Sequence, residues 1–460
     1  MTVVLALTFQ YSLAPFILGD ENNNNSGGGG GRSWWFRKLP GVGKHVHTSW
    51  TAGCDDYLLT SNSSSSSMEN EGPSYAQCAG NAGVYRPTFL SFLFFTISSI
   101  ATKLRPSINR QVWPAKYTLY LLLVAASIFT SNRPWFLSIF LHVARIGAMI
   151  FIVVQQIILI DIAYNWNDTW VGKADAADRM EWGSGAIWLR ATIGVAASFY
   201  VMACVGIGIL YHYFSGCGGN VAIITMTLIG IVGVTAVQLS GFEGSLLTSS
   251  VISVYAVYLA YSAVSKNPNG VCNPQLASEK DAYGIILGLV LTAVSLAWTG
   301  WSWTAEDRLR SVDGVKKARS LGTTGHAAAF RRGQDPVLDL DQPFLEYYDE
   351  IQPPPTGLAL SSDGNVDEDS LSSQYHSSGV WKLNAILALV SCWVAMSLTG
   401  WGSISGGVVA GEDMENHNAA NPQVGKLNMV MIAVSQWVAL ALYAWTLVAP
   451  RLFPNRDFSY

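Results

Sequence analysis

The sequence predicts an all-α membrane protein of about ten transmembrane helices, and three observations predict it. Half of the 460 residues are hydrophobic and only 13% are charged, with a mean hydropathy of +0.28. Soluble domains carry about 25% charged residues. The apolar residues gather into runs of spanning length, and Lys and Arg gather in alternate connections between those runs.

The runs, in order, are Met1–Leu18, Thr88–Thr102, Ala115–Thr130, Trp135–Tyr164, Ile187–Tyr211, Val221–Leu239, Ser245–Val264, Tyr283–Trp303, Val380–Trp401 and Leu427–Pro450. The first lacks the basic flank of a signal peptide, so it is expected to be a helix, whether the start of the chain is native or truncated. The second and third are short. The fourth organises the rest. Trp135 to Asp161 would extend roughly 40 Å as a helix, beyond a ~30 Å hydrocarbon core, so it must tilt or project. It carries His142, Arg145, Gln155 and Gln156, with Asp161 at its end. Such residues face a bundle interior, a cavity or an interface rather than lipid. At ~100° per residue His142, Arg145 and Gln156 fall within roughly 60° of one another, while Asp161 points elsewhere. Too far apart to pair among themselves, they need partners on other helices.

The connections divide the chain into a membrane bundle over 1–303 (helices one to eight, with an outer loop at 19–84), a charged loop at 304–379, and two further helices with a tail over 380–460. Fifteen Lys and Arg lie in the connections 103–116, 166–189 and 304–379 and in the tail, against seven in 19–84 and at Arg133, Lys266 and Lys280. Both termini and the 304–379 loop are therefore expected in the cytosol. That loop holds seven Lys/Arg from Arg308 to Arg332, then ten Asp/Glu from Asp335 to Asp369. A solvated disordered segment is expected there; its basic half also suits anionic lipid. The outer loop is low in complexity and offers glycosylation sequons at Asn24 and Asn62. Of six cysteines, Cys204 and Cys392 lie within spans and are expected in the core. The other four permit three pairings; Cys54–Cys78 with Cys217–Cys272 is preferred because it crosslinks neighbours in each half.

A net charge of −4, spread over loops, does not point to nucleic acid. Motifs for zinc proteases, nucleophile elbows, P-loops and dinucleotides are missing, so an enzyme, a metal site and a cofactor are not expected. Arg190, at the start of the next span, is a candidate ion-pair partner for Asp161. Alternatively Asp161 is a polar rung on a headgroup path. His142, Arg145 and Gln156 read equally as a hydrophilic lipid track or as an interhelical hydrogen-bond network. Gly284-x-x-x-Gly288 permits close helix approach.

Several stretches resemble the serine incorporator family (also called TDE/TMS membrane proteins), in family order. They are Lys38-Leu39-Pro40-Gly41, Val84-Tyr85-Arg86, Leu159-Ile160-Asp161 and the Trp-rich Asn165 to Trp170. Gly244 to Ile252 follows with Tyr255, Tyr258 and Ser262, then Cys272-Asn273-Pro274, then Tyr443 to Pro450 with Asn455-Arg456-Asp457-Phe458. The family's additional Cys-rich opening segment is absent, and Arg145 and Arg190 are not part of its pattern. The resemblance implies two helical subdomains crossed by a long oblique helix. It also implies non-selective phospholipid scrambling that alters bilayer asymmetry, or a role in bringing serine to phosphatidylserine and sphingolipid synthesis, with no cofactor. The expected partners are membrane phospholipids, with serine or lipid-synthesising enzymes under the second role. The membrane would be an endomembrane or the plasma membrane. An intramembrane transferase is a third, more remote reading.

Overall fold

The computed structural model describes residues 1–18, 41–54, 73–104, 113–240, 245–269, 271–274, 284–300, 380–402 and 422–452. Among them all regular structure is helical. Seven helices are long and apolar enough to cross a membrane, and three shorter apolar helices, Thr2–Leu18, Pro114–Phe129 and Gly284–Gly300, accompany them.

Numbered along the chain, α1 is Thr2–Leu18, with a π-helical middle, and α2 is Val42–Thr51. Helix α3 is Pro73–Leu104, and α4 is Trp113–Ala126, ending in a 3-10 turn at Ser127–Phe129. The long helix α5 opens as a π-turn at Trp135–Phe140 and continues as Leu141–Met180. Next come α6 (Ala186–Phe214), α7 (Gly218–Leu239) and α8 (Leu246–Val264). Helix α9 is Gly284–Gly300, α10 is Val380–Leu398 and α11 is Pro422–Leu452.

Helix α3 begins at Pro73, well before the expected Thr88, and α2 forms inside the expected outer loop. The reason is Arg86, which interrupts the apolar run in sequence yet is fully buried. Its guanidinium donates to the carbonyls of Ser127 (3.0 Å), Ala82 (2.9 Å) and Thr130 (3.0 Å), and lies 4.0 Å from the centre of the Trp50 ring. The carbonyl end of α4 carries partial negative charge, so an arginine there is stabilising. Polarity at this position thus builds a joint among α2, α3 and α4 instead of ending a helix.

Helix α5 covers Trp135–Met180, about 69 Å at 1.5 Å per residue. Its opening turns meet α3, its next stretch crosses α10, and it also packs on α6, α8 and α11. Helix α8 is the most enclosed span, wedged among α5, α6, α7 and α11. The core runs through Ala144, Ala148 and Phe151 of α5, Tyr255 and Leu259 of α8, and Trp393 and Met396 of α10. A smaller core joins Phe9, Trp50, Tyr120 and Val124 around the Cys54–Cys78 disulfide.

Both preferred cysteine pairs are formed, with Cα separations of 5.8 Å for Cys54–Cys78 and 5.4 Å for Cys217–Cys272. Cys392 is buried as expected, but Cys204 is exposed on α6. Helix α6 leaves much of its circumference uncovered, so a residue inside its span need not reach the core. The sequons at Asn24 and Asn62 and the segment 304–379 lie outside the described residues.

The α5–α10 crossing is close because Gly147 has no side chain: a Cβ there would lie 2.7 Å from Cys392 Sγ. Gly194 of α6 has nothing within 4 Å of the same position. Gly147→Leu is expected to cost about 1–3 kcal/mol through overpacking, and Gly194→Leu close to nothing. Thermal unfolding of the two variants in detergent checks this.

Candidate functional site

The four polar residues singled out on α5 divide into two pairs. Arg145 and Gln156 are 4% and 3% exposed. Arg145 Nη2 donates to the carbonyl of Trp401 at 3.3 Å, and Asn428 Nδ2 of α11 donates to the same oxygen at 2.9 Å. Trp401 has φ 63° between two positive-φ glycines, Gly400 and Gly402. A non-glycine residue in that region needs support, which the two donors supply. Tyr85 adds a hydrogen bond to Thr399 Oγ1 at 3.2 Å. Gln156 Nε2 donates to Ala439 O of α11 at 2.7 Å. Beside it, Tyr255 of α8 donates to Ile152 O at 3.3 Å and reaches Gln155 Oε1 at 3.5 Å. These groups are committed to holding α8, α10 and α11 on α5.

His142 and Asp161 are exposed, on the outward stripe that also carries Val143, Ile146, Ile150 and Ile157. The expected single stripe of His142, Arg145 and Gln156 is therefore split. An arc of roughly 60° is wide enough to straddle the edge of the covered face. The expected Asp161–Arg190 pair is also not formed: Asp161 Oδ2 accepts from Trp298 Nε1 of α9 at 2.7 Å, and Arg190 is exposed. The neighbour of Asp161 is α9, not the start of α6.

Helix α9 carries a longer polar stripe than its Gly-x-x-x-Gly pattern alone indicates. Gly284, Gly288, Thr292, Ser295 and Thr299 recur at helical spacing, and Thr292, Ser295 and Thr299 are buried. The Gly-x-x-x-Gly pattern was the first part of this longer stripe. At Gly288 a Cβ would collide with the Tyr258 hydroxyl of α8 and lie 2.9 Å from the Trp393 ring of α10. The opposite face, with Ile286, Val290 and Val294, is exposed. Thr292 Oγ1 donates to Gly288 O (2.9 Å) and Thr299 Oγ1 to Ser295 O (2.7 Å), bonds that stay within α9. Ser295 Oγ is buried without a partner. At one end of this seam a cleft is lined by Tyr258, Tyr261, Ser262 and Lys266 of α8 and its C-terminal turn, with Ser397 and Trp401 opposite. At the other end stands the Asp161–Trp298 pair. A row of hydroxyls thus runs from an ammonium to a carboxylate beside an apolar outer face. Among the described residues no three His, Cys, Asp or Glu side chains are gathered as a metal site would need.

An all-helical bundle with seven apolar helices of spanning length and polar groups buried on the inner faces is an integral, polytopic membrane protein. Residues 35–456 match the serine incorporator (Serinc) family, and the chain belongs to it. It is 28% identical over 406 residues to a probable serine incorporator of Nematostella vectensis, covering 83% of this chain and 81% of that one. It is 31% identical over 215 residues to serine incorporator 3 of Bos taurus, an alignment that spans 42% of this chain and 43% of the relative. Membrane protein TMS1 of Saccharomyces cerevisiae is 25% identical over 315 residues, 64% of this chain and 65% of that protein.

The split of the α5 residues has a direct consequence for stability. Gln156→Leu removes a buried interhelical bond and is expected to cost ~1–2 kcal/mol, whereas the exposed His142→Leu should leave the unfolding temperature unchanged. Parallel melts in detergent test the contrast.

Proposed function

We propose that this protein is a transporter of the scramblase type, which lets phospholipids pass between leaflets without an energy source and so alters bilayer asymmetry. The observation that carries the reading is the α9 seam. Headgroup transfer needs a hydrophilic strip with lipid tails left outside, and the seam sets small and hydroxyl-bearing residues behind an apolar face. Hydroxyls that bond to their own helix keep those bonds when the helix moves away, so parting α9 from its neighbours costs less than breaking cross-helix bonds. In this reading Asp161 is the end rung of the path, His142 flanks the outward stripe, and Arg145 and Gln156 brace the wall.

The helices would form two subdomains, α1–α4 with α10 and α6–α8 with α11, crossed obliquely by α5; the pairing of packed helices supports this. Both termini would be cytosolic. Cys54 follows α2, Cys78 lies near the start of α3, and Cys217 and Cys272 lie in connections; in this orientation all four are on the opposite side, as an oxidising compartment requires. Sequons at Asn24 and Asn62 would be modified there. A second reading is a carrier or scaffold that supplies serine to phosphatidylserine and sphingolipid synthesis; its serine part is favoured by the relatives' name, serine incorporator.

Purified protein in liposomes with fluorescent phospholipids tests the first reading. Thr292→Val with Ser295→Ala makes the seam apolar at nearly constant volume. It should slow lipid movement on the order of tenfold, the rate equivalent of ~1.4 kcal/mol, with little change in melting temperature. Unchanged rates in the folded double variant refute the seam as the path, and serine accumulation without lipid movement moves the case to the second reading.

Orientation has its own test. Protease added to sealed vesicles with the cell-exterior face outward should leave the 304–379 segment intact; cleavage there reverses the assignment.

A further inference from the structure

We infer that Asp161 and Trp298 form a recognition site for an ammonium group, presented by a phospholipid headgroup at the cytosolic end of the seam. The inference rests on the lipid-path reading for the source of the ligand, and on the local chemistry for its class.

Asp161 sits about 39 Å along α5 from Trp135, where a ~30 Å core has ended or is ending. It shares the outward stripe with Ile146, Ile150 and Ile157, all exposed, and the stripe continues into exposed Asn165 and Asp168. Among the described residues this face stays exposed. A carboxylate at such a margin calls for a cation or for several hydrogen bonds. The bundle supplies a single neutral donor, the Trp298 indole N–H at 2.7 Å, and no Lys or Arg among the described residues is bonded to it. Arg190, the sequence's candidate, does not reach it. Among the described residues the carboxylate therefore lacks a counter-charge, which a lipid headgroup can bring.

Trp298 favours an organic cation. Its N–H fixes one carboxylate oxygen and keeps the indole next to the carboxylate. A cation approaching the carboxylate can also meet the ring face, an attraction strongest for Trp and suited to alkylated ammonium groups. Phosphatidylcholine, phosphatidylethanolamine, phosphatidylserine and sphingomyelin all carry an ammonium; phosphatidylglycerol and phosphatidic acid do not. Recognition here would be indifferent among the first four and would discriminate against the last two. Free amino compounds share the chemistry, but the apolar stripe around Asp161 favours the lipid-borne group.

The test is lipid retention, which requires no transbilayer movement. Detergent-purified protein is incubated with equal amounts of phosphatidylcholine and phosphatidylglycerol of matched chains, and retained lipid is counted by native mass spectrometry. The wild-type protein should retain phosphatidylcholine by about 5-fold over phosphatidylglycerol. Asp161→Asn should bring the ratio near one, Asp161→Glu should restore part of it, and Trp298→Leu should lower it while leaving the charge in place. Should Asp161→Asn fail to fold, the Trp298→Leu and Asp161→Glu ratios decide. Equal ratios in wild type and the folded variants overturn the inference. Free ethanolamine or choline, added at millimolar concentration, distinguishes the sources: Asp161-dependent protection against unfolding by the free amine, with no lipid preference, keeps ammonium recognition and overturns the headgroup. A protein that retains phosphatidylcholine through Asp161 yet moves no lipid in liposomes refutes the transport reading alone.

Discussion

Carbonyl oxygens released at helix ends and turns inside a bilayer have no water to receive, and the bundle depends on how they are met. Several buried amide and guanidinium groups among the described residues point at one. Arg86 takes the end of α4, and Arg145 with Asn428 takes Trp401. Gln10 of α1 donates to Leu398 O at 3.3 Å, where α10 ends. Asn220 donates to the carbonyls of Phe214 and Cys272, both at 3.0 Å, and so locks the turn between α6 and α7 to the segment after α8. Gln436 reaches Ala256 O at 3.0 Å and Thr227 at 2.8 Å, joining α11 to α7 and α8. An unmet polar group in such an environment costs several kcal/mol, so these side chains decide which helices stay together. Dispersion between apolar surfaces then fills in the rest, because lipid gives it little hydrophobic advantage.

That division explains what could be seen in the sequence. Hydropathy reports the path of the chain through lipid, and so the helical class, the long Trp135 helix and most of the spans were legible. The cysteine pairing followed from joining neighbours within each half of the chain. Hydropathy is silent about side-chain donors that meet carbonyls on other helices. Arg86 therefore fell outside the run expected from Thr88 although it is the centre of a joint, and Arg145 read as part of a stripe with His142 although only one of them is covered. The Asp161–Trp298 bond was out of reach because nothing in the α9 sequence announces which helix it leans on. The serine and threonine stripe of α9 was readable in principle, as a continuation of the glycine pattern, since hydroxyl residues at that spacing occupy one face.

Two kinds of polar contact coexist in the bundle, and they differ in what they permit. Amide-to-carbonyl bonds between helices fix α5, α8, α10 and α11 as a frame. Hydroxyl-to-carbonyl bonds within a helix, as at Thr292, satisfy polarity without fixing a neighbour. Helix α8 mixes the two. Ser250 and Ser253 bond within it at 2.7 Å each, while Ser249 lies 2.9 Å from the Tyr443 hydroxyl of α11. A rigid wall facing a helix whose Thr292 hydroxyl bonds within its own turn is the arrangement in which one element moves and the others keep their register.

The two free cysteines acquire a use from their placement. Cys392 is sealed beneath Gly147 at the tightest crossing of α5 and α10, while Cys204 lies on the uncovered side of α6. The protein thus carries two native thiols in opposite settings, one reachable from the hydrocarbon and one shut behind the crossing. An apolar thiol reagent would find the first at once and the second only in molecules whose crossing had opened. The labelling of Cys392 relative to Cys204 is therefore an internal clock for the breathing of the frame, built in without any engineered probe.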